Sequence, residues 1–292
     1  MSGASGLLGK ALSRAMVADG SKITRMVRRK TSSGGDEILW QPGQTLDPAL
    51  VSGFDAVIHL AGESVVGRWT DAKKKSIRES RVLGTSTVAE AVAHAAPKPA
   101  VFLAASAIGF YGNRGDELLI EESASGTGFL PEVCREWEAA SDPVEQAGIR
   151  LAHLRTGIVL SKNGGALKPV LPLFKLGLGG RLGRGLQWWS WIHIDDMVGA
   201  MIHVLNNKAL CGPVNMVGPD PVTNAEFTKV LGKVLHRPAI FPVPAFALRL
   251  AMGQMAEEVL LGSQRAEPRV LLASGYDFRF RSLESALTNL MQ

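Results

Sequence analysis

Short apolar runs alternate along the first half of the chain with segments whose apolar positions recur about every 3.6 residues. The runs lie next to turn residues and are typical of buried parallel strands. They occupy 23–27, 56–61, 100–105 and 151–154. Helical spacing begins near Leu8 and near Leu83, and a third helical pattern follows Pro131, a residue favoured in a first helical turn. This alternation predicts an α/β fold, a Rossmann-like doubly wound parallel sheet.

The pattern changes after about residue 160. A stretch rich in Gly and Pro at 162–185 predicts a loop, and prolines separate the helices that follow. One of these helices begins at Thr223, where Thr223 and Glu226 form a capping box. We therefore expect a cofactor-binding domain and a smaller, mainly helical lobe on the substrate side. Their bounds are 1–160, re-entered by the chain at about 190–218, and 161–292.

A glycine-rich segment leads directly into the first predicted helix. In Gly3-Ala4-Ser5-Gly6-Leu7-Leu8-Gly9, three glycines stand where backbone amides can approach a pyrophosphate and the helix dipole favours its negative charge. A Walker phosphate loop is excluded, because the glycine spacing differs and Ala11 follows Lys10 where Ser or Thr would hold magnesium. Three glycines by themselves are as typical of an ordinary turn as of a nucleotide-binding loop. The alternation of strands and helices that follows favours a dinucleotide-binding site.

The strand after this helix ends at Val27-Arg28-Arg29-Lys30, where three basic residues follow the valine. An Asp or Glu at this place would accept hydrogen bonds from the ribose of NAD, whereas a guanidinium pairs with the 2′-phosphate of NADP. Arg28 therefore favours NADP(H) as the cofactor. The alternative is an ordinary solvated basic turn.

Composition narrows the range of functions. The 292 residues carry 32 Lys and Arg against 27 Asp and Glu, and the formal charge of +5 suits a phosphorylated ligand or weak attraction to nucleic acid. Because no nucleic-acid recognition motif is present, we expect a small-molecule ligand and no nucleic acid. No apolar run reaches roughly 18 residues and no export pattern opens the chain, so we expect no membrane partner. The two cysteines, Cys134 and Cys211, favour a reduced, cytoplasmic setting without a metal site.

Three motifs in order resemble those of extended short-chain dehydrogenase/reductases. They are the segment 3–9, Asp55-Ala56-Val57-Ile58-His59-Leu60-Ala61-Gly62 and Trp191-Ile192-His193-Ile194-Asp195-Asp196. More narrowly, Ser106-Ala107-Ile108-Gly109-Phe110-Tyr111-Gly112 and Trp137-Glu138 resemble the epimerase family proteins, a group often described as sugar-nucleotide epimerases. The resemblance covers essentially the whole chain, including a C-terminal domain of unknown function from about residue 238. Some members of the group are associated with cell or plastid division.

The resemblance implies roles for individual residues. It implies cofactor contacts in the glycine segment, after the next two strands, on the helix that follows and after the run 151–154. These residues are Gly3, Ser5, Gly6, Leu7, Leu8, Val27, Arg28, Leu60, Ala61, Gly62, Arg81 and Arg155. For Arg81, the alternative is a surface salt bridge. Ser106, at the end of its strand, would lie near the nicotinamide.

The Tyr-x-x-x-Lys pair of active superfamily members is missing. In that pair, a lysine lowers the pKa of a phenol that exchanges a proton with the substrate. The chain has two tyrosines, and Gly115 and Phe280 stand four residues after Tyr111 and Tyr276. The candidate acid–base groups are then Ser106 and Tyr111, although the sequence favours Tyr111 as a packed aromatic that closes its strand.

Two other reactive side chains are candidates with structural alternatives. Cys134 could act as a nucleophile or redox thiol, but cysteines within helices are usually small hydrophobes. His193 could act as a general base, or it is a hydrogen-bonded structural histidine at the start of a helix.

Two arginines are candidates for the substrate side. Arg181 and Arg184 lie among glycines and precede three tryptophans at 188–191. Guanidinium groups and stacking aromatics could clamp a nucleotide diphosphate, which predicts a phosphorylated substrate. An RNA phosphate site and a packed aromatic loop are the alternatives.

The chain start departs from the family pattern. Relatives have a strand of several apolar residues before the glycine segment, whereas Met1 stands two residues before Gly3. That strand would be central, and without it two neighbours carry unpaired backbone groups, each costing about 1–3 kcal/mol if buried. We expect that the recorded start is late or that the chain is shortened.

Together these features predict an NADP(H)-binding oxidoreductase or epimerase that acts on a nucleotide-sugar-like substrate. The alternative is a catalytically weak or silent NADPH-binding regulatory protein linked to cell division. The oligomeric state is left open, with a homodimer as one alternative.

Overall fold

The computed structural model describes residues 1–29 and 36–292, so Lys30 of the basic turn lies outside the described residues. The helices are α1 Leu7–Ala18, α2 Asp71–Ala93, α3 Phe129–Ala139, α4 Asp142–Gln146, α5 Leu167–Lys175, α6 Ile194–Asn206, α7 Asn224–Val234, α8 Ala245–Met252, α9 Arg269–Ala273 and α10 Leu283–Met291. The strands are β1 Arg25–Val27, β2 Glu37–Leu39, β3 Ala56–His59, β4 Val101–Ala107, β5 Leu118–Leu119, β6 Arg150–Thr156, β7 Ile158–Ser161, β8 Gly164–Gly165, β9 Trp188–Trp189, β10 Trp191–His193, β11 Gly212–Met216, β12 Val222–Thr223 and β13 Arg265–Ala266.

A parallel sheet organises the first part of the molecule. Its strand order is β11-β6-β4-β3, and every neighbouring pair is parallel. The parallel pair β1 and β2 continues the sheet, and Ser2 joins the two groups through single bridges to Met26 and His59. The predicted α/β fold is confirmed. β11 comes from the region after 190, so the chain returns to this sheet late in the sequence.

Helices cover both faces of the sheet. Alternate side chains of β3 show the division, because Ile58 packs with α1 and α6 whereas Val57 packs with α2. Leu12, Met201 and Val88 are among the buried helix residues that complete these two cores. Burial of each such side chain stabilises the fold by about 1.5–3 kcal/mol.

The C-terminal lobe has its own apolar core, formed by α5, α7 and α10. The capping box holds as predicted, since the Thr223 hydroxyl accepts the Glu226 N–H at 3.2 Å and α7 begins at Asn224. The prediction of a loop throughout 162–185 is wrong, because α5 lies within it. Its Pro169 falls in the first helical turn, where amide donors have no helical partner, and the helix buries Leu167 and Phe174 against the lobe.

Over residues 1–29 and 36–292, every helix is too short or too polar to cross a bilayer.

Candidate functional site

A cavity of about 960 Å³ opens at the carboxyl ends of β1 and β3. In open parallel sheets, ligands bind beyond the carboxyl ends of the strands. The cavity is lined by Gly3, Ala4, Ser5, Gly6, Lys10, Arg25, Met26, Val27, Arg28, Arg29, Trp40, Gln41, Pro42, Leu60, Ala61, Gly62, Glu63, Ser76 and Ser80.

The glycine turn fits its surroundings closely. Gly3 has φ +66°, and a Cβ added to it would lie 2.7 Å from the carbonyl carbon of Leu60. A Cβ on Gly9 would lie 2.2 Å from the Gly3 oxygen, so α1 can approach the turn only with glycine there. The turn therefore brings the start of α1 against the end of β3. α1 has no acidic residue in its first turn, which leaves its positive end to a ligand.

Ser2 and His59 hold this turn in place, a role that the sequence did not reveal. The Ser2 hydroxyl oxygen accepts the N–H groups of Leu60 and Ala61 at 3.1 and 3.2 Å. Its proton is then donated to Nδ1 of His59, 2.9 Å away. Burial lowers the pKa of His59 to about 3, so the ring is neutral at physiological pH and has one nitrogen able to accept this proton. The two residues fix the loop 60–62 beside the glycine turn.

Charged side chains of both signs face the cavity. Arg28 and Arg29 are exposed at the end of β1. Across the cavity, Glu63 pairs with Lys73 at 2.6 Å, and this hydrogen bond holds the pKa of Glu63 below its usual range. The arginine side therefore suits a phosphate, and the Glu63 side offers a fixed carboxylate acceptor.

The cavity brings together most of the sequence-predicted cofactor residues. These are Gly3, Ser5, Gly6, Val27, Arg28, Leu60, Ala61 and Gly62. Leu8 packs toward the core, and Leu7 contacts the turn at Gly164. Sequence reasoning missed Lys10, Trp40, Gln41, Ser76 and Ser80. Lys10 lies on α1 itself, whereas the positions of the other four depend on how β2 and α2 pack against the glycine turn.

Arg81 lies beside the cavity and supports its wall. One guanidinium nitrogen donates to the carbonyls of Glu63 and Ile77 at 2.9 and 3.1 Å. The guanidinium also lies 4.9 Å from the ring centre of Trp137, within the range of a cation–π contact. Arg81 therefore fixes the backbone at Glu63, and it is not among the lining residues.

A buried polar network lies at the carboxyl ends of the next strands. Ser106 on β4, Arg155 on β6 and Asn215 on β11 are neighbours in the sheet register. Glu138 on α3 accepts the Ser106 hydroxyl at 2.6 Å and two Arg155 nitrogens at 2.9 Å each. The third Arg155 nitrogen donates to the Tyr111 hydroxyl at 3.1 Å and to the Glu121 carbonyl at 3.0 Å. All three guanidinium nitrogens of Arg155 therefore bond within the protein.

The network keeps its central ion pair charged. Burial opposes ionisation of Glu138, but the hydrogen bonds and charge of Arg155 outweigh it and hold the pKa of Glu138 below its ordinary value. Burial likewise opposes the charge on Arg155, and Glu138 still raises the Arg155 pKa. The pair is thus ionised at neutral pH, with Ser106 donating into it.

Tyr111 and Ser106, the candidate acid–base groups, are enclosed by this network. Tyr111 is 0% exposed, and its hydroxyl donates to Asn215 at 2.7 Å. Burial raises the pKa of Tyr111, the opposite of the shift that an acid–base phenol requires. Ser106 is 3% exposed. Neither side chain lines the glycine-turn cavity.

The other reactive candidates have structural surroundings. Burial raises the pKa of Cys134 to about 12, so it is a neutral thiol, 3.9 Å from the Ala107 carbonyl. His193 caps α6, because its Nδ1 accepts the Asp195 N–H at 3.0 Å. Its ring packs 3.9 Å from Phe280, and burial lowers its pKa.

The predicted substrate arginines lie in the C-terminal lobe. Arg181 lines a second cavity of about 500 Å³ with Lys229, Lys233 and Arg237, whereas Arg184 is exposed and is not among its lining residues. Trp191 is buried, whereas Trp188 and Trp189 are half-buried and contact other parts of the protein. Trp188, for example, donates to Asp116 at 2.7 Å and stacks under Arg265. The structure therefore does not place these aromatics as a stacking surface beside Arg181.

Within the described ranges, no group of three or more His, Cys, Asp or Glu side chains is arranged to hold a metal ion.

Two protein families match the sequence. The NAD dependent epimerase/dehydratase family matches residues 1–132, and a domain of unknown function, DUF1731, matches residues 243–290. An epimerase family protein of Mycobacterium tuberculosis (strain CDC 1551 / Oshkosh) is 42% identical over 98% of this chain and 95% of its own length. The chain therefore belongs to the epimerase family proteins, a group with the extended short-chain dehydrogenase/reductase fold, as its motifs predicted.

Two solved structures are similar over almost the whole chain. Human epimerase family protein SDR39U1 (isoform 2), crystallised with NADPH, is 31% identical with a TM-score of 0.90, covering 99% of this chain and 97% of that one. The nucleoside-diphosphate sugar epimerase from Corynebacterium glutamicum is 38% identical with a TM-score of 0.82, covering 99% of this chain and 57% of that one. The predicted fold and NADP(H) cofactor agree with these findings.

Proposed function

We propose that this protein is an NADP(H)-dependent oxidoreductase or epimerase that acts on a nucleotide-sugar-like substrate. The main support for the proposal is that the glycine turn, the start of α1 and Arg28 line the same cavity. The turn and helix start suit a pyrophosphate, and Arg28 with Arg29 suits a 2′-phosphate. When bound there, the cofactor would supply or accept a hydride. The relative crystallised with NADPH supports this assignment.

The substrate class rests on two observations. The Corynebacterium glutamicum relative is described as a nucleoside-diphosphate sugar epimerase. In this chain, four cations line the second cavity, a setting that favours a phosphorylated ligand.

The cytoplasmic setting and the homodimer stay predictions, and one relative, from Arabidopsis thaliana, is described as chloroplastic.

A second candidate function is an NADPH-binding regulatory protein with little or no turnover, linked to cell division. The enclosed hydroxyls of Ser106 and Tyr111 favour it, because both bond to partners within the protein. Either hydroxyl can contact a substrate only if its hydrogen bonds within the network break.

Thermal stability in the presence of NADPH or NADH tests the cofactor assignment. Since a ligand that binds only the folded state raises its stability by mass action, NADPH is expected to raise Tm more than NADH. Arg28→Asp should reduce the NADPH shift more than the NADH shift. Arg14→Asp, exposed on α1 and outside the cavity lining, is the matched control and should change neither. Equal shifts for the two cofactors would contradict the assignment.

Turnover separates the two candidate functions. Conversion of a panel of nucleotide sugars is followed both by NADPH absorbance and by chromatography of the sugar products, using the original chain and Ser106→Ala. The second readout is needed because an epimerase returns the hydride to the sugar and causes no net change in NADPH. Loss of turnover in Ser106→Ala at unchanged NADPH affinity supports the enzyme. No conversion of any substrate by either readout, together with NADPH-dependent capture of a partner, supports the regulatory protein.

A further inference from the structure

The second cavity, in the C-terminal lobe, has one wall formed by two extended segments that lie side by side. One follows α5 and the other precedes α8. The Phe241 N–H donates to the Gly179 carbonyl at 3.1 Å. A Cβ added to Gly180 would lie 1.8 Å from the Phe241 oxygen, so the two segments approach this closely only with glycine there. Arg181 from the first segment and Ile240 from the second line the cavity together.

Helix α7 forms the opposite wall. A Cβ added to Gly232 would lie 2.9 Å from the Ala239 Cβ, so α7 packs directly against the segment that leads to Ile240. Lys229 and Lys233 are four residues apart on this helix, and both line the cavity. Residues with this spacing are neighbours on one helix face. The wall therefore presents two ammonium groups to the same space as Arg181.

The cations at the cavity keep most of their charge unneutralised. Lys233 pairs with Glu284 at 2.7 Å, and both side chains are exposed. Arg237 donates to two backbone carbonyls at 3.0 and 3.1 Å, and these acceptors carry no net charge. Among the described residues, no carboxylate pairs with Arg181, Lys229 or Arg237. Three positive charges are thus available to an anion in the cavity.

Apolar side chains are exposed beside these cations. Ile240 lines the cavity and is 72% exposed, and Pro242, which also lines it, is exposed as well. Arg237 donates to the Lys175 carbonyl at the end of α5, which brings the 73% exposed Leu176 next to the same cations. We call Leu176, Ile240 and Pro242 the apolar rim. Large apolar groups that are exposed at the edge of a polar cavity are typical of a binding site.

The cavity lacks a stacking surface for a nucleobase. Among the described residues that line it, none has an aromatic ring, a carboxylate or a carboxamide. Bases are commonly bound by stacking on aromatic rings and by hydrogen bonds to their edges. The tryptophans that follow in the chain have other contacts, since Trp189 lies 5.1 Å from Phe227 and Trp188 lies under Arg265. The site therefore favours an apolar group beside the phosphate.

We infer that the second cavity binds the phosphate or diphosphate of an ester whose organic group is an apolar chain. The cations hold the phosphate, and the chain lies along the apolar rim and shields it from water. This inference rests on the proposed function, in which the cavity takes the phosphorylated part of the substrate, and it replaces the nucleoside by an apolar chain. A dissolved ester and a phospholipid headgroup share this chemistry, and the experiment separates the two sources.

Titration calorimetry with four probes tests the inference. The chain is kept in saturating NADPH, so that the glycine-turn cavity is occupied. Farnesyl diphosphate carries both groups, and uridine diphosphate carries a nucleoside in place of the chain. Inorganic diphosphate lacks any organic group, and farnesol lacks the phosphate. Farnesyl diphosphate is expected to bind about tenfold more tightly than each of the other three, or better, because it alone uses the cations and the apolar rim together.

Two substitutions at exposed positions separate the charge from the apolar rim. Lys229→Gln should weaken farnesyl diphosphate and inorganic diphosphate alike, by about fivefold. Ile240→Ser should weaken farnesyl diphosphate by about fivefold and leave inorganic diphosphate unchanged. The matched controls are Arg14→Gln and Val17→Ser, both exposed on α1 and outside the cavity, and they should change neither affinity.

Vesicles of phosphatidylcholine with phosphatidylglycerol identify the source of the ester. Sedimentation of the original chain with these vesicles, lost in Lys229→Gln and in Ile240→Ser, would assign the site to a phospholipid headgroup. Binding of farnesyl diphosphate without sedimentation would assign it to a free phosphate ester.

Three results would overturn the inference. Uridine diphosphate that binds as tightly as farnesyl diphosphate would do so and would leave the nucleotide-sugar function intact. An unchanged farnesyl diphosphate affinity in Ile240→Ser would remove the apolar rim from the site. Failure of every phosphate-bearing probe to bind would also remove the second cavity from the substrate side, whereas the thermal shifts with NADPH and NADH would still decide the cofactor.

Discussion

The glycine-turn cavity and the buried network both lie at the carboxyl ends of the parallel strands, but they place their arginines in different surroundings. Arg28 and Arg29 are exposed and line an open cavity. Arg155 is 4% exposed, and its nitrogens are bonded to Glu138, Tyr111 and Glu121. An exposed guanidinium can meet a phosphate, whereas one that is already paired and buried stabilises the fold. In the proposed function, the first region therefore recognises the ligand, whereas the second supports the fold.

The same contrast bears on catalysis. The superfamily's acid–base pair needs a phenol whose pKa is lowered, and here burial raises the pKa of Tyr111. The ionised pair of Glu138 and Arg155 instead holds the strand ends and α3 together. Variants in the buried network should therefore change the stability of the fold, whereas variants in the glycine-turn cavity should change the affinity for the cofactor.

The largest expected effect is on stability. Arg155→Met leaves the Glu138 carboxylate buried without its cation, which should lower the free energy of unfolding by about 3–5 kcal/mol. Urea unfolding followed by circular dichroism measures it. The double variant Arg155→Met/Glu138→Leu removes both charges and should recover much of the loss. A loss that the double variant does not recover would argue against the ion pair as its source.

Acid titration of the same variants sharpens this result. In the original chain, the folded pKa of Glu138 lies below its unfolded value, so the stability it contributes is present above the unfolded pKa and is lost as pH falls through the folded pKa. Without Arg155, burial should raise that pKa, and lower pH should then favour the folded state. Parallel pH profiles for Arg155→Met and the original chain would contradict the assignment.

Gly3→Ala should affect both stability and cofactor binding. The added Cβ meets the Leu60 backbone at 2.7 Å at a φ of +66°, a strain of about 1–3 kcal/mol. NADPH affinity, measured by titration calorimetry, should fall about tenfold or more. Gly53→Ala is the matched control, because its φ is +75° with no neighbour within 4 Å. Equal NADPH affinities for the two variants would show that the turn does not shape the site.

Tyr111→Phe tests the network with a smaller change. Loss of the hydroxyl bonds to Asn215 and Arg155 should cost about 1–2 kcal/mol of unfolding free energy, with NADPH affinity and any turnover retained. Tyr276→Phe, whose hydroxyl donates to the Asp196 carbonyl outside the network, is the control. Turnover lost only in Tyr111→Phe, at unchanged stability, would instead assign Tyr111 an acid–base role.

The smallest effect concerns thiol reactivity. With a pKa of about 12 and full burial, Cys134 should stay unmodified by iodoacetamide at pH 8 while the exposed Cys211 reacts. Intact mass should therefore show one added group in the folded chain and two in urea. Cys211→Ser should show none before unfolding. Rapid labelling of Cys134 in the folded chain would mean that the network region opens readily.

Residues close in sequence were the most predictable. The alternation of strands and helices, the glycine turn and the capping box at Thr223 all depend on neighbours within a few residues. Helix α5 was missed because its prolines suggested a loop, whereas its buried Leu167 and Phe174 fix it against the C-terminal lobe. The position of Arg28 in the cavity lining could be predicted from the sequence, because Arg28 directly follows β1 and the end of β1 lines the same cavity as the glycine turn.

By itself, the sequence determined the α/β sheet, the glycine turn and the basic end of β1, since periodicity and helix starts are short-range properties of the chain. Only the tertiary structure decided what Arg155 does. Its partners Glu138, Tyr111 and Glu121 lie 17, 44 and 34 residues away, and they meet it through the packing of α3 and the neighbouring segments around β6. Burial then excludes water, so the same residue type that suits a phosphate at Arg28 becomes an internal support at Arg155.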